Sequence, residues 1–267
     1  MLIALFISPL LADEFGPGPT KATVSSVYDG DTFTLDTGDK VRVAGVNTPE
    51  LRPAEVFGDE ARVATERFVK GKDVTLTYGS LERDSYGRLI AWVEVEGEPL
   101  ADYLVSLGVA HVFLIPPLGL GDVDALLAAQ AEARESDRGI WVTEGYESTL
   151  HMTSFHANAA GDDRENVNGE YLRVCNITTE ALNVEGYRIT DARDNSWTFP
   201  DLVVPAGHTV EVHSGVGEHQ TDPGSQLLIY LGSPEPIWNN KADVATIFDP
   251  LGEIVDRREH AVKKATP

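Results

Sequence analysis

The hydrophobic periodicity of this chain changes character near residue 150, and that change constrains the fold more than any other feature. Before it, short alternating or β-branched runs at Thr23–Tyr28, Thr32–Asp36, Lys40–Ala44, Asp73–Tyr78 and Arg88–Val95 are interleaved with helical spacing at Asp59–Val69, Leu100–Leu107 and Val123–Ser136. After it the helical spacing disappears. Glu170–Asn176, Gly186–Thr190, Thr209–His213, Leu227–Leu231 and Val244–Phe248 read as strands between clusters of Gly, Pro and Asn. One stretch mixes helices with five strands and the other is strand-only, so two separate cores are expected. The first suits an α+β oligonucleotide-binding β-barrel with helical packing, the second an all-β sandwich.

The 267 residues divide as 1–12, 13–20, 21–147, 148–262 and 263–267. Residues 1–12, MLIALFISPLLA, are apolar but short of the about 20 residues that span a bilayer, and read as the core of a signal peptide. A secreted or envelope-bound mature chain without a transmembrane span is expected from it. Residues 13–20 carry Gly and Pro and are expected to be a disordered lead-in, and 263–267 a frayed tail. Cys175 is the single cysteine, which excludes an intramolecular disulfide and thiolate metal clusters.

Forty-three acidic residues face 21 basic ones, a net charge of −22, and the excess runs through both halves. Such a chain cannot hold DNA, RNA or anionic lipid by bulk electrostatics, which needs clustered Lys and Arg. A local site remains open.

Chemistry-bearing residues concentrate in Asp29-Gly30-Asp31-Thr32, in Arg42 to Glu50 (RVAGVNTPE) and in Asp84 to Arg88 (DSYGR). Alone, each segment has an ordinary reading: Asp-Gly and Tyr-Gly as hairpin turns, Thr48-Pro49-Glu50 as a helix start. Together they supply hard oxygen donors at Asp31 and Asn47, a carboxylate at Glu50 and guanidinium groups at Arg42 and Arg88. A divalent ion such as Ca²⁺ takes oxygen ligands, a carboxylate accepts a proton from water, and guanidinium groups bind phosphate bidentately. That set suits phosphodiester hydrolysis.

In this order, D-G-D-T, R-x-x-G-V-x-T-P-E and D-x-Y-G-R resemble the staphylococcal nuclease family over roughly residues 20–145. The resemblance implies a five-stranded barrel with three helices and Ca²⁺-dependent hydrolysis of DNA and RNA to 3′-phosphate ends. It places metal ligands at Asp31, Asn47 and the Thr48 carbonyl, with another divalent ion as an alternative to Ca²⁺. Catalytic roles fall on Arg42, Glu50 as general base, and Arg88. Tyr86 is the candidate substrate contact. Asn47 stands where the family's best-known member has Asp, which implies weaker Ca²⁺ binding, and Leu114 stands near that member's substrate-contacting tyrosine. Phe113 beside it reads first as a buried core aromatic. The competing reading is a catalytically weak nucleic-acid or surface-binding module.

Residues 150–260 resemble a lamin-tail domain, an immunoglobulin-like sandwich, through GEYLRVCN at 169–176, VEGYRITD at 184–191, WTFP at 197–200 and DVATIFD at 243–249. The resemblance implies an adaptor without catalytic residues, its partner a cell-surface or envelope component. Trp238 reads as core and Asn239-Asn240 as a turn. Asp243 and Asp249 are alternatives for a surface Ca²⁺, and His151 and His156 read as solvated rather than as metal ligands.

Overall fold

The computed structural model describes residues 16–117 and 121–261. The expected export segment over 1–12 and the tail at 263–267 lie outside the described residues. The chain divides into two compact units between Trp141 and Val142. No described helix is long and apolar enough to cross a membrane.

In the first unit, β1 (Lys21–Val27), β2 (Thr32–Leu35), β3 (Lys40–Val43), β5 (Asp73–Arg83) and β6 (Leu89–Val95) form a sheet, with short β4 (Val46–Asn47), β7 (Glu98–Pro99) and β8 (His111–Val112) beside them. The order β3-β2-β1-β5-β6 closes on itself because β3 also pairs with β6, in parallel, with Arg42 opposite Ile90. Closure gives the barrel one interior. Phe33, Leu35, Val41, Val43, Leu76, Leu89 and Ala91 fill it at 2% exposure or less. The strands alternate as a sheet with one buried face must, Leu89, Ala91, Val93 and Val95 pointing inward. Three helices complete the unit: α1 (Gly58–Val69), α2 (Leu100–Ser106) and α3 (Val123–Glu135). α1 buries Ala61, Ala64, Thr65 and Val69, the i, i+3, i+4, i+8 stripe of a surface helix.

The end of the expected disordered lead-in is instead docked. Tyr78 donates its hydroxyl to the Pro19 carbonyl at 2.6 Å, and Leu76 N–H to the Thr20 carbonyl at 2.9 Å. Hydrogen bonds from β5 to their carbonyls recruit these residues, and their Gly-Pro composition does not reveal that.

The second unit is a β-sandwich. One sheet runs β16 (Leu227–Tyr230), β15 (Thr209–His213), β10 (Tyr171–Asn176) and β9 (Leu150–His156); the other runs β13 (Ser196–Thr198), β12 (Arg188–Thr190), β17 (Ala242–Phe248) and β18 (Ile254–Ala261). A ribbon of β11 (Leu182–Asn183) and β14 (Val203–Val204) accompanies them. Leu172, Val174, Ile189, Val212, Ile229 and Ile247 meet between the sheets, with Trp238 also in the core. β9 and β18 were not expected from the sequence. β9 alternates poorly, and β18 exposes four of its eight residues. Cys175 is fully buried, and burial pushes its thiol well above the ordinary range.

The polar side chains of this unit are held by the fold. His151 is 7% exposed, stacked on Tyr146 and 3.3 Å from Asp256, and His156 stacks on Tyr171, so neither is solvated. Asp243 accepts backbone N–H bonds from Ala192, Asn239 and Val244, and Asp249 from Leu251 and Glu253. Both serve as loop staples. Asn239 accepts from Lys241 N at 3.0 Å, the turn bond expected of it.

Candidate nuclease site

The site grows from the closure of the barrel. β3 carries Arg42 on its outer face between buried Val41 and Val43. The β1–β2 turn supplies Asp29, Gly30 and Asp31, and the segment after β3 supplies Asn47, at the end of β4, and Thr48 just beyond it. Asp31 Oδ2 accepts from Thr48 N–H at 2.9 Å and from the Thr48 hydroxyl at 3.0 Å. These bonds tie the two acidic segments together. Gly30 is required where they touch, because a Cβ there would lie 2.6 Å from both Ala61 Cβ and Thr48 Oγ1. Thr65 of α1 holds the Gly30 carbonyl with its hydroxyl.

Arg42 sits at the centre. Its Nη1 donates to the carbonyls of Val43 (2.6 Å) and Val46 (2.8 Å), its Nη2 to Asn47 Oδ1 (3.0 Å), and its Nε lies 3.2 Å from Asp31 Oδ1. One cation therefore touches both side chains expected to hold a metal. Asn47 is also placed by β4–β8 pairing, which sets it opposite His111. His111 Nδ1 lies 2.9 Å from the Val112 carbonyl and must carry the proton there, so Nε2 is the acceptor facing Asn47 Nδ2 at 3.4 Å. That contact turns the amide oxygen toward Arg42.

Glu50 lies just beyond. Its N–H donates to Glu55 Oε2, and its carbonyl accepts from Glu55 N–H, both at 2.8 Å. α1 starts against it: a Cβ on Gly58 would come within 2.9 Å of the Glu50 carbonyl oxygen. Burial first, and then the charges of Asp31, Asp29 and Glu55, raise the Glu50 carboxyl to about 7 against the pull of Arg42. Burial and Asp31 likewise raise Asp29 to about 6. Several carboxylates thus share one guanidinium, and the neighbourhood is electrostatically short of a cation.

The donor set fits a hard divalent ion. Asp31, the Asn47 amide and the Thr48 carbonyl all offer oxygen donors, the kind a hard divalent cation takes. Among the described residues no three His, Cys, Asp or Glu side chains converge as a metal set, so amide and main-chain oxygens must complete it.

Arg88 is placed differently. It lies two residues before Ile90, the partner of Arg42, at the entry to β6. Its Nε is held 2.7 Å from Asp84 Oδ2 within the hairpin, and Tyr86, 72% exposed, lies against the guanidinium at 5.5 Å. Arg42, Asp31, Asn47 and Thr48 are in direct contact, Glu50 joins them through charge, and Arg88 with Tyr86 stands apart on its hairpin. Leu114 is fully buried. Phe113 is not the core aromatic expected: it is half-buried, with the Arg42 guanidinium 5.8 Å from its ring centre. Asp29, Glu55 and His111 were not singled out by sequence. Asp29 lay in a quoted motif, but the other two carry no local signal.

Residues 40–143 match the Staphylococcal nuclease homologue family and residues 146–261 match the Lamin Tail Domain. The thermonuclease of Staphylococcus hyicus is 32% identical over 125 residues, 44% of this chain and 73% of that protein. The thermonuclease of Staphylococcus intermedius is 32% identical over 127 residues, 44% of this chain and 74% of that one. Endonuclease YncB of Bacillus subtilis is 28% identical over 132 residues, 46% of this chain and 63% of its own length. With its barrel closed by β3 and β6 and its first two motifs joined around Arg42, the chain belongs to the staphylococcal nuclease family, and residues 146–261 match the Lamin Tail Domain.

Proposed function

We propose that the chain is a Ca²⁺-dependent nuclease that hydrolyses phosphodiester bonds of DNA and RNA. The observation that carries this reading is Arg42 held among Asp31, Asn47 and the raised carboxyls of Asp29 and Glu50. Asp31, Asn47 and the Thr48 carbonyl would hold the ion, which when bound supplies Lewis-acid polarisation of a phosphate oxygen and orients water.

The chain's own residues do the rest. Glu50, when ionised, takes the proton of the attacking water, whose oxygen forms the new bond to phosphorus. The P–O5′ bond breaks, the 5′ oxygen is protonated from solvent, and a 3′-phosphate remains. Arg42 and Arg88 stabilise the charge that grows on the phosphoryl oxygens; Arg88 makes its Asp84 bond through Nε, which leaves its Nη edge to meet phosphate. Tyr86 offers an exposed ring to a base or sugar.

The test is degradation of plasmid DNA and of RNA by the purified chain across a Ca²⁺ series, with EDTA and Glu50→Gln as controls. Cleavage lost in both controls supports the reading. A folded chain that cleaves nothing at any Ca²⁺ or Mn²⁺ level overturns it in favour of a binding module. The apolar run at 1–12 supports export to the medium or envelope, which fractionation of an expressing culture checks.

A further inference from the structure

A chain of net charge −22 does not draw a polyanion to its surface as a whole, so affinity for a nucleic-acid strand needs another source. Stacking is that source where aromatic side chains take the bases of an unpaired strand. Among the described residues two aromatic side chains are exposed, Tyr28 at 60% and Tyr86 at 72%. Both adjoin the site motifs. Tyr86 lies inside D-S-Y-G-R, and Tyr28 is the residue immediately before D-G-D-T.

The register of the barrel puts Tyr28 in line with Arg42. β1 and β2 pair with Val27 opposite Phe33, and one residue further the Tyr28 N–H donates to the Thr32 carbonyl at 2.9 Å, so the ladder runs on to Tyr28 and Thr32. Thr32 in turn stands opposite Arg42 on β3. Residues directly opposite one another share a face of a sheet, and the neighbouring row of Val27, Phe33 and Val41 is the one that packs into the barrel core. Tyr28, Thr32 and Arg42 therefore form an outward row across three strands. Two strand spacings place the Tyr28 backbone about 10 Å from that of Arg42, a distance that a neighbouring nucleotide and the tyrosine side chain together span. On its other edge β3 pairs with β6, the strand into which the Tyr86 hairpin leads. Tyr28 thus stands on the β2 flank of Arg42 and the Tyr86 hairpin on its β6 flank. The buried carboxylates of Asp29 and Asp31 follow Tyr28 directly, which disfavours a phosphate beside the ring and leaves it to an uncharged base.

We propose that Tyr28 is a substrate-contact residue whose ring stacks on a base of the strand that places its phosphate on Arg42, on the flank opposite Tyr86. This inference rests on the nuclease reading above. Arg42 takes the charge of the strand and the two tyrosines take bases to either side of it. Stacking needs a base whose face is free, so Tyr28 favours single-stranded over duplex substrate.

The test is binding of a short phosphorothioate oligonucleotide, as a single strand and as its duplex, to the full chain with Ca²⁺. Tyr28→Ala should weaken single-strand binding about tenfold or more, the scale of one lost base stack, with duplex binding nearly unchanged and the melting temperature of an exposed substitution preserved. Tyr28→Phe keeps the ring and should bind as wild type does, whereas Tyr28→Leu should not. Equal single-strand affinity in wild type and Tyr28→Ala overturns the proposal. So does an equal loss on the duplex, or a Tyr28→Phe chain as weak as Tyr28→Ala, which would assign the contact to the hydroxyl. Tyr86→Ala in the same assay separates this inference from the reading beneath it. If Tyr86→Ala weakens binding and Tyr28→Ala does not, only the Tyr28 contact falls; a wild-type chain that binds no oligonucleotide overturns both.

Discussion

Asn47 Oδ1 accepts a hydrogen bond from Arg42 Nη2 at 3.0 Å, so the amide expected to face a cation and the guanidinium expected to face a phosphate are partners of each other. Asp31 repeats the relationship through Arg42 Nε at 3.2 Å. An ion held by Asp31 and Asn47 would compete with Arg42 for the same oxygens and would release its outer edge. Nη1 stays anchored on Val43 and Val46.

Metal and substrate should therefore bind cooperatively. A short phosphorothioate oligonucleotide is expected to bind more tightly with Ca²⁺ than in EDTA, by about 1–3 kcal/mol, the ordinary range of coupling between sites. Arg42→Lys should shrink that coupling, because an ammonium group cannot bridge Asp31, Asn47 and two carbonyls at once. Equal coupling in both chains, by calorimetry, would show that Arg42 is not the shared group.

Glu50→Gln should reduce turnover by about 10²–10⁴-fold, the scale of a lost general base. Its effect on stability runs the other way. Folding raises the Glu50 carboxyl from 4.5 to about 7, so the folded chain holds a proton that the unfolded chain releases across that window. In EDTA, the contribution of Glu50 to stability is greatest below pH 4.5 and declines as pH rises toward 7. Glu50→Gln should flatten that decline and leave the chain more stable than wild type at pH 8. Urea denaturation at pH 4.5 and 8 checks both signs.

Asn47→Asp adds a charge to the expected ligand set and should tighten Ca²⁺ binding. The gain is limited by His111, whose Nε2 lone pair would face a carboxylate oxygen in place of the Asn47 amide hydrogens. Weaker binding by Asn47→Asp than by wild type would remove residue 47 from the ligand set.

Gly30→Ala is expected to cost about 1–3 kcal/mol, the usual cost of overpacking, because its methyl group would meet Ala61 and Thr48 at 2.6 Å. Since Thr48 is both displaced and an expected ligand, Ca²⁺ affinity should fall with stability. A variant of unchanged melting temperature would show that the close approach relaxes freely.

Most of the barrel was legible because its strands alternate over a single closed core and its turns carry Asp-Gly and Gly-Asp pairs. Helix α1 was readable from its Ala-rich stripe. In the sandwich β10, β12, β15, β16 and β17 were readable for the same reason. β9 and β18 were not, since in neither does local alternation reveal which face is covered.

The sequence by itself determined the two cores, the order of the three motifs and the residue types around a phosphodiester, because each is written in local spacing and composition. Only the tertiary structure decided that Arg42 is shared between Asp31 and Asn47, that Glu55 and His111 join the site, and that Phe113 faces Arg42. It alone brought Asp163 and Glu170 onto one loop about seventy residues further along. These relationships depend on barrel closure, on pairing between distant strands and on burial, which sets the energy of a charge through neighbours that no local stretch of sequence contains.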